Sequence, residues 1–319
     1  MKTKTFQSSL AKKMDDFVTF KQLQGYDYTA QALALGYFDA FAQKCGYKCE
    51  HLTKKIIDDY IDKTARLKAN SRRARLSVLR VFSEYLHCYD HGSYVLTNLS
   101  ISRPSLPRWY HYSNEEITIL LGDTKTLTPC QSLRPHCFHM LIGLLYVSGL
   151  RISEALALKL KHIDIDNGTV FVRKGKFGKD RYLVLEESTV QIIGNYLEKR
   201  LKHPPTEKDT PFFVTHLGKP LEYENVAQTY RRMIRKCKIG VHSPQLPRLH
   251  DLRHSFACNC LIKWYNDGVD VNARLPVLAT AMGHINIQST QIYLHVTSTL
   301  LQKAAKRFHH TFTANCKGE

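Results

Sequence analysis

The stretch from Ser100 to Tyr112 most constrains this chain, because it separates two regions that cannot share one hydrophobic period. It carries Pro104 and Pro107 among arginines and aromatics, and a proline pushes the residue before it toward an extended backbone. Ser113-Asn114-Glu115-Glu116 follows directly, with a hydroxyl at the N-cap position and a glutamate three residues on, the signature of a capping box. At 319 residues the chain has room for two domains of ordinary size. The expected organisation is a domain over residues 1–100, a linker over 101–112 and a second domain with a C-terminal tail over 113–319.

The first region reads as helices with short breaks. Thr29 to Cys45 carries Leu33, Tyr37, Phe38 and Phe41 at helical spacing, and Gly46 stands where a glycine ends a helix. Thr53 is placed to cap a helix with Ile56, Ile57, Tyr60 and Ile61 inward, and Asn70 to cap another with Leu76, Leu79, Phe82 and Leu86 as its buried stripe. The outer face of that last helix holds Arg72, Arg73, Arg75 and Arg80 with no acid among them before Glu84. Such a face is either simply solvated or set against phosphates, and the missing acids favour phosphate contact.

In the second region helices over about 114–121, 134–147 and 152–160 give way to a period of two. Ile163 to Asp166, an Asn167-Gly168 turn and Thr169 to Arg173 read as a hairpin, since Asn-Gly suits the primed turns. A turn at Lys174 to Lys179 leads to a third strand, Arg181 to Leu185, and helices resume at about 188–202, 224–238, 250–265, 274–282, 286–294 and 298–309. The fold class expected is mainly α: a helical N-terminal domain plus a mostly helical domain with a small three-stranded antiparallel sheet.

Forty-six Lys and Arg against 28 Asp and Glu give a net charge of +18, so a polyanion is the natural partner. No secretory leader is expected, because the basic start MKTKTFQSSLAKKMDD is not followed by an apolar core, and Met140 to Val147 is far too short to span a bilayer. Nine cysteines, an odd number without a disulfide-like framework, fit free thiols in a reducing cytoplasm. Cys45/Cys49 and Cys258/Cys260 have the wrong spacing for a zinc knuckle.

Four pieces could carry chemistry. Arg151, after Gly149-Leu150, stands at the start of a helix, where the backbone already favours anions and a guanidinium adds a bidentate phosphate site. Lys176 lies in a glycine-flanked turn between strands, which is otherwise an ordinary solvated hairpin. His250-Asp251-Leu252-Arg253-His254 puts an imidazole beside a guanidinium on one helix, a pairing suited to phosphate binding and proton transfer. His250 and His254 also have zinc-ligand spacing, but Asp251 replaces the glutamate a zinc peptidase uses and Arg253 would repel a cation. Met282-Gly283-His284 is followed by Tyr293 in Thr290-Gln291-Ile292-Tyr293-Leu294-His295. A tyrosine is a poor nucleophile at its ordinary pKa of about 10 and needs cationic neighbours and a base.

In this order and spacing the four pieces resemble the tyrosine recombinase (phage integrase) family over about residues 113–300, with the N-terminal part similar in pattern to its core-DNA-binding domain. The resemblance implies that Arg151 and Arg253 clamp a scissile phosphate, that Tyr293 attacks it to form a 3′-phosphotyrosyl bond, and that Lys176 protonates the leaving 5′ oxygen. It implies His250 as base or proton manager for Tyr293, and His284 as a hydrogen-bond donor to the phosphate. The partner implied is double-stranded DNA with a specific recombination site, bound by a homo-tetramer, with accessory or partner recombinases left open and the tail at about 298–319 docking on a neighbouring subunit. No cofactor, metal or ATP is expected, since the covalent bond stores the energy of the broken phosphodiester. Two other readings share the fold: a type IB topoisomerase that needs no site, and a non-catalytic DNA-binding regulator, which would lack at least one of the six residues.

Overall fold

The apolar residues of the first region meet in a helical bundle. The structure, a computed structural model, describes residues 6–97, 109–173, 180–284 and 286–295. It places α1 at Ala11–Leu23, α2 at Thr29–Lys44, α3 at Lys54–Thr64 and α4 at Ala69–Tyr89. Leu10, Met14 and Phe17 of the first segment bury against Phe38, Ile57, Leu79 and Phe82, each large side chain contributing about 1.5–3 kcal/mol of transfer energy. Thr53 caps α3 as expected, its Oγ1 accepting from the Ile56 N–H at 3.4 Å.

Two local expectations are corrected here. The inner face of α2 is Leu35, Phe38 and Ala42, while Leu33 and Tyr37 are exposed. The helix is turned so that the Asp39 carboxylate accepts the backbone N–H groups of Gln7 and Ser8, at 3.0 and 2.9 Å, and Tyr37 offers its ring to Arg75. On α4, Asn70 is not the cap: the helix begins two residues earlier than that cap implies, with Lys68 at the cap position and no side-chain cap bond. The α1 segment, which has only Met14 and Phe17 as buried residues among charged neighbours, carries too short a stripe to stand out in sequence.

The chain divides into two compact units, Met1–Pro107 and Arg108–Glu319. Of the expected linker, Trp109 to Tyr112 pack inside the second unit, and the residues before them lie outside the described ones. Tyr112 is fully buried, its N–H donating to Ser255 Oγ at 3.0 Å and its hydroxyl meeting that of Tyr230 at 2.6 Å. Aromatic packing thus ties this extended segment to the second unit.

The second unit contains α5 (Asn114–Asp123), α6 (Leu133–Ser148), α7 (Ile152–Leu156), α8 (Glu187–Arg200), α9 (Tyr223–Lys236), α10 (Leu249–Asn266), α11 (Val271–Met282) and α12 (Gln288–Gln291). The capping box at Ser113 and Glu116 forms in both directions, at 3.2 and 3.0 Å. Helix α6 is apolar on nearly every side and packs between α8 and α10, which makes it the axis of this core. Strands β1 (Ile163–Asp164), β2 (Thr169–Val172) and β3 (Arg181–Val184) form one antiparallel sheet in that order, with Asp164 opposite Thr169 and Val172 opposite Arg181.

Here too the boundaries move. Helix α7 stops at Leu156 because the chain turns out to pair Lys159 with Pro211, and Leu160 N–H donates to the Thr210 carbonyl at 3.0 Å. At the first hairpin only Gly168 has positive φ, 61°, so the connection is not a two-residue primed turn. The Asp164 carboxylate instead accepts from the Asn167 N–H and side-chain amide, at 3.0 and 2.8 Å, closing a longer loop. The predicted helix at 286–294 is α12 followed by a 3-10 turn at Ile292–His295, and that predicted at 298–309 lies outside the described residues. Among the described residues no helix is long and apolar enough to cross a membrane.

One buried cation holds a long loop to this core. Arg200 is wholly inaccessible and donates to the carbonyls of Phe212, His203, Pro205 and Pro211 at 2.6–3.2 Å. Hydrogen bonds to a charged group are worth about 1.5–3 kcal/mol each, and truncation orphans several acceptors together. Arg200→Leu should cost about 3 kcal/mol of stability by urea denaturation; an unchanged midpoint would show that the loop holds without it.

Candidate active site

The site is assembled from segments far apart in sequence, each delivered by a helix end. Helix α6 ends at Gly149 with φ 63°, and a Cβ there would sit 2.3 Å from the Phe256 ring, so the left-handed turn and the close approach both require glycine. The turn leaves Arg151 at the N-cap of α7. Its Nη1 donates to Glu154 Oε1 at 2.8 Å and its Nη2 to the Gly283 carbonyl at 3.1 Å, while its backbone N–H donates to Glu154 Oε2 at 3.0 Å.

Arg253 comes from the first turns of α10 and is almost inaccessible. Its guanidinium donates to the Gly149 carbonyl at 2.5 Å, the Met282 carbonyl at 2.7 Å and His284 Nε2 at 3.0 Å, so one side chain joins the ends of α6 and α11. Arginine can only donate, which leaves His284 Nε2 as the acceptor and places the imidazole proton on Nδ1, facing Thr290 Oγ1 at 2.8 Å. Both ring nitrogens are thus engaged within the protein. In this structure His284 Nε2 thus accepts from the Arg253 guanidinium.

Tyr293 is 2% exposed in the 3-10 turn after α12, in a cluster with Ala257, Leu261, Leu278 and Met282. Burial pushes its hydroxyl up to about 12, against the pull of the Arg253 and Arg151 cations. The imidazole it meets is His254, whose Nδ1 lies 2.9 Å from the Tyr293 hydroxyl oxygen. His250 is exposed on the neighbouring turn, edge-on to His254 with ring centroids 4.6 Å apart, and no described hydrogen bond joins it to Tyr293. The sequence reading takes His250 as base or proton manager for Tyr293, while the imidazole at the phenolic oxygen in this structure is that of His254. The two histidines are a helical turn apart, so spacing alone does not decide which one turns inward.

Three further residues escaped the sequence reading. Glu154 is 7% exposed and binds two arginines: Arg151, and Arg181 from β3, which reaches it with both terminal nitrogens at 3.1 and 2.8 Å. Burial alone would raise the Glu154 carboxyl, but the bonds from Arg181 and from Arg151 hold it at about 2. Arg181 also donates to the Ala281 carbonyl at 3.0 Å and fills the space beside Gly283, where a Cβ would come within 2.9 Å of its guanidinium. Trp109 stacks on His254 at 4.4 Å and 15°. In sequence Arg181 is the start of a strand, and Glu154 carries no signal of its own. Only their 27-residue separation closing in space reveals the pair.

Lys176 lies outside the described residues; the strands on either side of it end at Val172 and Arg181, and Arg181 ties that end of the sheet to Glu154. In the first unit the four α4 arginines do not share one state. Arg73 and Arg80 are exposed, with Arg80 3.5 Å from Glu84, while Arg75 lies over the Tyr37 ring at 3.6 Å and Arg72 is half-buried with its Nε unpartnered.

Residues 113–299 match the sequence profile described as the phage integrase family. A putative integrase/recombinase of Sinorhizobium fredii, y4rB, is 31% identical over 307 residues, covering 94% of this chain and 97% of its own. The tyrosine recombinase XerC of Lactobacillus delbrueckii subsp. bulgaricus is 28% identical over 260 residues, 78% of this chain and 80% of that one. Among solved structures, the Tn1549 transposon integrase in complex with circular intermediate DNA has the same fold, with a TM-score of 0.66 at 18% identity over 93% of this chain and 99% of that one.

Proposed function

Because this chain belongs to the phage integrase family and is a tyrosine recombinase, an enzyme that cleaves and rejoins DNA in site-specific recombination, we propose that the cluster around Arg253 is its scissile-phosphate site. The observation that carries this reading is the convergence of Arg151, Arg253, His284 and Tyr293 from four chain segments, knitted together by the Arg253 and Arg151 guanidinium bonds. Two guanidinium groups fixed before the substrate arrives stabilise the charge that grows on a pentacoordinate phosphorus without reorganising.

In the proposed reaction the Tyr293 oxygen attacks phosphorus, its proton passes to a base, and the bond to the 5′ oxygen breaks. Lys176 gives that oxygen a proton, so a 3′-phosphotyrosyl bond and a 5′-hydroxyl result. Attack by a 5′-hydroxyl from a second duplex reverses the step and joins the new strand. His250, exposed beside Arg253, is assigned to the phosphate side of the pocket and to proton traffic with solvent. The unit Met1–Pro107 is assigned to duplex binding, with Arg73 and Arg80 of α4 as the cations most available to phosphates. A tetramer on two DNA sites, exchanging strands through a Holliday junction, is the assembly in which this chemistry yields recombinants. The residues at about 298–319, outside the described ones, are assigned to its subunit contacts.

The test starts from random-sequence duplexes captured covalently by the intact chain, which selects its site. Two differently labelled duplexes carrying that site should exchange flanks, with a four-way junction as intermediate, and at an undiminished rate in EDTA. Relaxation of supercoiled DNA with no preferred sequence and no exchange would favour the topoisomerase reading. Dependence on a divalent ion would contradict the scheme.

A further inference from the structure

The six-residue set includes Arg253, which reaches the nucleophile's hydroxyl, but it leaves a second hydrogen bond to that oxygen unassigned. That bond comes from His254, one residue beyond Arg253 on α10. We propose that His254 is a further catalytic residue, whose Nδ1 holds the Tyr293 hydroxyl and fixes the direction of its attack, and that Trp109 is the positioning residue that holds the imidazole in place. The inference rests on Tyr293 being the nucleophile.

Several observations converge on it. The His254 ring is 7% exposed and wedged between Trp109, stacked at 4.4 Å, and His250, edge-on at 4.6 Å. Trp109 also touches the Tyr293 ring, with centroids 5.1 Å apart, so one indole covers both partners of the hydrogen bond. The indole is itself fixed by the residues after it. His111 Nε2 lies 2.8 Å from Asn259 Oδ1, and the Tyr112 N–H donates to Ser255 Oγ, so the segment runs along α10 beside His254. Burial first, then the neighbouring His250, Arg248 and Arg253, depress His254 to about 3, which leaves a neutral imidazole able to accept the phenolic proton in a hydrogen bond. A buried phenol without that partner could tilt its ring and carry the oxygen away from the arginines, and a misplacement of about 1 Å costs about 100-fold in rate.

The geometry supplies its own control. The carboxamide of asparagine places a polar atom at the same bond count from Cα as Nδ1, whereas glutamine places it at the position of Nε2 and alanine removes it. On a nicked duplex carrying the site selected above, single-turnover cleavage by His254→Ala and His254→Gln should fall about 100-fold, with DNA affinity unchanged and His254→Asn restoring most of the rate. Trp109→Ala should share the defect, and adding it to His254→Ala should slow cleavage by clearly less than the product of the two single effects, because both act on the same hydrogen bond.

Cleavage by His254→Ala at the parental rate would overturn the proposal. Equal slowing by Ala, Gln and Asn would also overturn it, since that pattern marks packing alone; should the alanine variant fail to fold, the Asn and Gln pair decides. Failure of the parental chain to form any adduct, or an adduct on Tyr293→Phe, would instead bring down the assignment of the nucleophile.

Discussion

Glu154→Gln should slow DNA cleavage by about 100-fold, although this carboxylate faces away from any substrate role. It holds Arg151 through a side-chain and a backbone bond and holds Arg181 through two more. A glutamine has one acceptor for these four donors and no charge, so Arg151 loses its fixed orientation beside the Gly283 carbonyl and Arg181 loses its hold on the turn before His284. The same change should cost stability with a defined pH dependence. The folded carboxyl is held at about 2, below its ordinary 4.5, so its contribution is fully present above about pH 4.5 and is lost as pH falls through 2. The difference corresponds to about 3 kcal/mol at neutral pH and roughly half that at pH 3. Urea denaturation of the parental chain and Glu154→Gln at pH 7 and pH 3 measures it. A gap that is equal at both pH values would show that the carboxylate charge is not what stabilises the cluster.

The features legible in sequence were those written in neighbouring residues. The Ser113–Glu116 box, the apolar stripe of α4 and the glycine ending α6 each follow from local rules, and each stands where the rules put it. Arg151, Arg253, His284 and Tyr293 were found because they sit in short motifs of fixed order, and the fold brings them together. What stayed hidden was decided by groups distant along the chain. The face of α2 is turned by Asp39 reaching back to Gln7 and Ser8, and the Asn167-Gly168 loop is opened by the Asp164 side chain. His250 and His254 share one helix face by periodicity, and only the packing of Trp109 and Tyr293 distinguishes them. Glu154 and Arg181 carry no motif of their own; their partnership exists only once β3 lies beside α7.

The largest effect of all is expected from removing one atom. Tyr293→Phe deletes the hydroxyl and keeps the ring among Ala257, Leu261, Leu278 and Met282, so the fold should persist while covalent cleavage disappears. A phenol pushed up to about 12 by burial is not ionised at neutral pH. Its attack therefore depends on the partner that holds its proton and on the arginine cations that favour the phenolate. The most direct measurement is peptide mapping of the DNA adduct trapped on a nicked duplex carrying the selected site. A single DNA-linked peptide containing Tyr293, and no adduct with Tyr293→Phe, is the expected result; linkage through any other residue, or an adduct that survives the substitution, would contradict it.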